Sequence, residues 1–279
     1  MSARHLARTA LAGAVLGRAA LTAGAALIAR PAGRPWRRTN YAGRPVSLLG
    51  GPVLALSATA TAVLGAPPGA RAAAAVVGTV SGLVGGYDDL AGARPEQARD
   101  KGLAGHLRAL REGRVSAGAV KVAGIGTAAA VAALLTRSRD RGAGALVDGV
   151  LTTGLVAGCA NLLNLLDLRP GRAAKVGALA ALAGLPGPAG GLVAGPLGAT
   201  LAVLPHDLRE RIMLGDCGAN ALGALLGLRL TELPSRPARA AALAVVTGLT
   251  LASERVSFTR VIEATPGLRE LDRLGRLSS

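Results

Sequence analysis

The sequence predicts an all-α fold, a polytopic integral membrane helical bundle. Three observations predict it. The chain of 279 residues is 51% hydrophobic, with a mean hydropathy of +0.43. Its charged residues make up 17% of the total, against about 25% in ordinary soluble domains, and they fall in clusters. Between the clusters lie unbroken runs of Ala, Gly, Leu and Val longer than a water-soluble core requires. The length accommodates one integral-membrane domain over residues 1–279 and no sizeable soluble domain.

Nine apolar segments are candidate spans, within a range of eight to ten: about 8–29, 47–65, 70–86, 118–136, 143–166, 173–185, 190–204, 215–231 and 238–252. Arg4 and Arg8 precede the first, which lacks an A-x-A cleavage region and is read as a retained helix. GAPPGA breaks the second from the third, and the third runs into GGYDDL. A polar stretch over residues 87–117 then reads as a long cytoplasmic loop. RSRDR and DLRPG bound the fifth segment. The sixth and seventh are short and split by LPGPAGG, so they form two short spans or one broken hairpin. The tail, residues 253–279, has leucines at 268, 271, 274 and 277 and reads as a short amphipathic helix on the membrane surface or packed on a cytoplasmic loop.

The formal net charge is +16, from 32 Lys and Arg against 16 Asp and Glu. These cations sit in loops between spans, where topology and anionic lipid headgroups account for them better than nucleic acid does. Cys159 and Cys217 are the only cysteines, which excludes a disulfide framework and a cysteine-rich metal site. With the first loop placed in the cytoplasm, alternating sides bring Asp88, Asp89, Lys101, Asn164, Asp167 and Asp216 to one membrane face.

Three constellations carry chemical potential. Asp88 and Asp89 are adjacent carboxylates at the end of an apolar run, suited to a solvated loop or to a cation that relieves their repulsion. Asn161, Asn164 and Asp167 recur every three residues near one helix face, suited to interhelical hydrogen bonds or to a ligand. Asp216 lies in LGDCGAN at the start of an apolar segment, as a helix cap or as a ligand-binding acid.

Together these motifs resemble the polyprenyl-phosphate N-acetylhexosamine-1-phosphate transferases. The resemblance runs through DD at 88–89, KGLAGH at 101–106, Gly118 with Lys121, N-x-x-N-L-x-D at 161–167 and G-D-x-G…L-G at 215–223. It implies that a polyprenyl phosphate attacks a UDP-linked amino sugar, releasing UMP, in cell-envelope glycan synthesis such as that of peptidoglycan. It implies a Mg²⁺ ion held by Asp216 with Asp89 close by, and Asp88 and Asp89 acting on the lipid phosphate. Lys101 and Lys121 would contact phosphates, while Asn161, Asn164 and Asp167 would line the nucleotide-diphosphate pocket. It further implies a bacterial plasma-membrane protein with a cytoplasmic active site, lipid contacts and a homodimer.

The chain departs from the family pattern at Leu168 and Pro170, where the family has Gly and a second Asp, and at Ala219, where it has Ser. The family's histidine-rich loop is missing; His5, His106 and His206 are dispersed, and His206 alone lies in a loop where it can substitute in part. These departures raise a second reading, a catalytically inactive relative that binds lipid phosphate or acts as a scaffold. A transporter built on broken helices fits less well, because no repeat relates the two halves.

Overall fold

The computed structural model describes residues 2–91, 111–113, 116–136 and 142–277. Among the described residues the fold is helical except for one small hairpin. The long helices are α1 (Ala3–Ile28), α2 (Gly50–Gly65), α3 (Arg71–Ala91), α4 (Ala117–Leu135), α5 (Ala143–Leu166), α6 (Arg172–Ala183), α7 (Gly191–Leu208), α8 (Gly215–Leu230) and α9 (Arg236–Ser253). Two short helices, α10 (Phe258–Ala264) and α11 (Leu268–Arg273), end the chain. Strands β1 (Arg37–Thr39) and β2 (Pro45–Ser47) pair antiparallel in the predicted first loop.

The nine predicted apolar segments all become helices, but the span count does not follow. Among the described residues, four helical stretches are long and apolar enough to cross a membrane: α1, α3 with its leading turn, α4 and α5. A fifth results if α9 and α10, bent by 96°, count as one span. Length explains the difference. At about 1.5 Å per residue, the 16 residues of α2 or α8 and the 12 of α6 fall short of a hydrocarbon core about 30 Å thick. Helix α7 contains Pro196 and Pro205, and α9 opens on two arginines, Arg236 and Arg239.

Helix α8 is the axis of the bundle. Every residue from Cys217 to Leu228 is buried, and α2, α3, α5, α6 and α7 surround it. Lipid tails are as apolar as leucine, so helix association in a bilayer relies on close packing of small residues. Here a Cβ added to Gly223 or Gly227 would lie 2.4 Å from a backbone carbonyl of α5, Cys159 and Leu155 respectively. On α3, a Cβ at Gly85 would lie 2.4 Å from the Asp216 carbonyl oxygen. These contacts bring the backbones of α3, α5 and α8 together, with Leu54, Leu155, Leu222 and Leu225 filling the space between helices.

The hairpin is docked beside the start of α8. Ser47 donates its N–H to the Arg211 carbonyl at 3.1 Å and accepts from Met213 N–H at 2.9 Å. That bridge fixes the segment leading into Gly215 and Asp216.

The close approach at Gly85 yields a prediction. Gly85→Val forces α3 away from α8 and lowers stability by about 1–3 kcal/mol or prevents folding, whereas Gly126→Ala, which meets open space, is tolerated. Thermal melting in detergent micelles checks this, and equal melting of both variants would refute the packing.

Candidate active site

Helix α3 continues five residues beyond its predicted end at 86, so Asp88 and Asp89 stand on its last turns and not in a loop. Their side chains divide two tasks. Asp89 turns to the start of α8, where its Oδ1 accepts from the Asp216 N–H and its Oδ2 from the Cys217 N–H, each at 3.0 Å. Helix α8 has no side-chain cap at Leu214, and the first N–H groups of a helix have no internal partner. Asp89 therefore caps α8 from another helix. Gly215 makes room for it: its φ of +57° is a left-handed conformation, and a Cβ there would lie 2.8 Å from the Asp89 carboxylate. Arg38 of β1 fixes the same turn by donating to the Asp89 carbonyl at 2.5 Å.

Asp88 faces a different partner. Lys121, on the first turns of α4, lies 2.9 Å from Asp88 Oδ2 and also pairs with Asp216 Oδ2. Two carboxylates from α3 and α8 thus converge on one ammonium. All three side chains keep about a fifth of their surface accessible (20%, 23% and 19% for Asp88, Asp216 and Lys121), so the cluster is open to a ligand from that end of the bundle.

Asp167 follows the last residue of α5 and is buried. It sits near the start of α8, close enough for the charges of Asp207, Asp89 and Asp216 to act on it. Oδ2 of Asp167 has no partner, and neither does Oδ2 of Asp207. Both acids line a cavity of about 20 Å³, together with Asn40, Tyr41, Arg169 and Glu210. Glu210 is neutralised there by Arg44 at 3.4 Å and accepts from Asn40 at 2.5 Å. Such a cavity holds about one water molecule.

The other predicted residues are more scattered. Asn161 is exposed, Asn164 is half-buried and Asp167 is buried, so the three do not share one environment along α5. Lys101 and His106, with most of the loop 87–117, lie outside the described residues. His206 accepts at Nε2 from Arg18 of α1 at 3.1 Å; a guanidinium only donates, so this histidine is engaged with α1 and takes no part in the acid cluster. Sequence reasoning missed Arg38, Asp207 and Glu210. The loop PHDLRERIML in which the last two sit was already marked as polar, but only tertiary contact reveals which of its charges are buried.

Comparison of the chain with protein-family models finds no match, and comparison with curated proteins finds no significant relative.

Asp89→Ala is expected to leave the Asp216 and Cys217 amides unsatisfied, at about 1–3 kcal/mol for each buried group, and to lower the melting temperature more than Asp88→Ala does. Equal losses would remove the distinction between the capping and the outward-facing acid. Burial, with the charge of Asp207 added, holds the Asp167 carboxyl well above the usual carboxylate range. The native chain then binds a proton that the unfolded chain releases. The contribution of this carboxyl to stability is full below about pH 4, the unfolded value, and declines as pH rises toward the raised native value. Melting profiles against pH should show this decline in the wild type and a flatter curve in Asp167→Asn; parallel curves would contradict it.

Proposed function

We propose that the protein is a Mg²⁺-dependent sugar-1-phosphate transferase, a divergent member of the polyprenyl-phosphate N-acetylhexosamine-1-phosphate transferase family. In the proposed reaction an oxygen of polyprenyl phosphate forms a bond to the β-phosphorus of a UDP-linked amino sugar. The bond from that phosphorus to the bridging oxygen breaks, and UMP leaves. The proposed setting is cell-envelope glycan assembly at the cytoplasmic face of a bacterial plasma membrane.

One observation carries this reading: Asp88 and Asp216, from separate helices, converge on a single cation, the Lys121 ammonium. The residues fit Mg²⁺, which is commonly bound by one or two carboxylates and completed by phosphate oxygens and water. No group of three potential metal ligands occurs among the described residues, so phosphates would supply the rest of the shell. Asp216 and Asp88 would hold the ion, with Asp89 next to it as the group that orients Asp216. Bound there, Mg²⁺ would offset the charge of two meeting phosphates and stabilise the charge that develops during transfer. Lys121 would then turn from the carboxylates to a phosphate oxygen, and Asp88 would orient or deprotonate the lipid phosphate. Lys101, Asn161 and Asn164 keep the phosphate-contacting and nucleotide-lining roles that the resemblance implies. Asp167, buried beyond the last turn of α5, keeps the pocket-lining role that the resemblance implies.

The size of the cavity beside Asp167 favours a second reading, a catalytically inactive relative that binds lipid phosphate. At about 20 Å³ the cavity does not admit a nucleobase, and Pro170, buried where the family has an acid, lines it.

Detergent-purified protein given Mg²⁺, undecaprenyl phosphate and a panel of UDP-amino sugars is expected to release UMP. Asp216→Asn should reduce the rate by a factor on the order of 10²–10³. No UMP from any donor, with folded protein that still binds polyprenyl phosphate, would overturn the transferase and leave the lipid-phosphate binder.

A further inference from the structure

The C-terminal segment has its polarity inverted. No residue of α10 is buried, and Asp272 is the one buried residue of α11. Asp272 receives Arg172, itself buried, in a two-pronged pair at 2.7 and 3.1 Å, and Arg276 at 2.7 Å. Arg172 also donates to Thr259 at 2.9 Å. Lys175 donates to the carbonyls of Leu271 and Asp272 at 2.9 and 2.7 Å, and Arg276 to the Tyr41 hydroxyl at 3.0 Å. The segment is thus fastened to α6 and the hairpin loop by charge.

Its aliphatic side chains point the other way. Val256, Val261, Leu268, Leu271, Leu274 and Leu277 are 42–67% exposed. An aliphatic row of this length on the outside of a fold marks an interaction surface. The direction of the chain identifies what covers it. Helix α9 turns by 96° into α10, so if α9 follows the membrane normal, α10 lies along the bilayer surface. Exposed cations flank the row at Arg255, Arg260 and Arg273, matched in number by exposed acids at Glu254, Glu263 and Glu270, the last of them paired with Arg269. The chain as a whole carries +16, which favours anionic over neutral lipid.

We propose that residues 256–277 form a membrane-surface element. Its aliphatic row enters the headgroup–acyl boundary of an anionic bilayer, its arginines meet lipid phosphates, and the Arg172–Asp272 pair fixes its depth and orientation. This element stands apart from the transferase reading and requires no catalysis.

The test uses the full chain in lipid nanodiscs, either of phosphatidylcholine alone or with phosphatidylglycerol added. Cys159 and Cys217 are buried, so a cysteine introduced by Leu274→Cys or Glu263→Cys takes an environment-sensitive fluorophore selectively. The label at 274 is expected to be quenched by lipid-borne spin labels, more strongly with phosphatidylglycerol, while the label at 263 stays in water. Arg273→Gln should weaken the phosphatidylglycerol dependence by about fivefold, the effect of one arginine near an anionic surface. A label at 274 that remains unquenched in both discs would overturn the proposal. Disulfide cross-linking between two Leu274→Cys chains in that case would assign the row to a second copy of the protein.

Discussion

The capping of α8 by an acid from another helix is the constraint on which the rest depends. A helix surrounded by other helices in an apolar medium cannot leave its first amides to water, and an unsatisfied amide there costs several kcal/mol. Helix α8 supplies no cap of its own. Asp89 on α3 takes up the amides of Asp216 and Cys217. Two helices that could otherwise slide along one another are fixed in register at this end. The register in turn requires Gly85 and Gly215, because any side chain there would separate the acid from the amides it satisfies. The adjacent acids Asp88 and Asp89 therefore serve two purposes, one builds the site and the other faces it.

The helices were legible in the sequence because the runs of Ala, Gly, Leu and Val are long and their breaks are marked by proline, glycine and charge. The number of crossings was not. Apolar character is shared by a helix that spans lipid and one enclosed by other helices, and α8 is enclosed almost completely. The site was legible to the same degree: Asp88, Asp89, Lys121 and Asp216 meet as a group, since polar residues embedded in apolar sequence have few places to go. The run at Asn161, Asn164 and Asp167 was less so. A three-residue period slips by about 60° per step on a 3.6-residue helix, enough to carry the run from an exposed face to a buried one. Arg38, Asp207 and Glu210 gain their importance from partners far away in the chain, which periodicity does not encode.

Lys121 gives the acid cluster its character. An ammonium between two carboxylates offsets their mutual repulsion without an external ion. In the proposed transferase, its flexible stem would let it leave when Mg²⁺ arrives with phosphate. The internal counter-ion would then be exchanged for an external one. Arginine would not serve as well, because its planar guanidinium would hold both carboxylates in a fixed fork geometry.

The same end of the bundle carries charge in its interior and aliphatic groups on its exterior. Arg172 and Asp272 are buried against α6, Glu210 is neutralised by Arg44, and the leucines of α11 face outward. In water this distribution would be unfavourable twice over, since it desolvates ions and exposes hydrocarbon. Against a bilayer surface the second penalty becomes a gain, because the leucines replace lipid-facing surface at the boundary. The buried pair then acts as a fastener that prevents the leucines from turning inward and fixes which way the segment faces. The polarity of the tail and the apolar character of the bundle therefore follow from one solvent, met once in its hydrocarbon core and once at its surface.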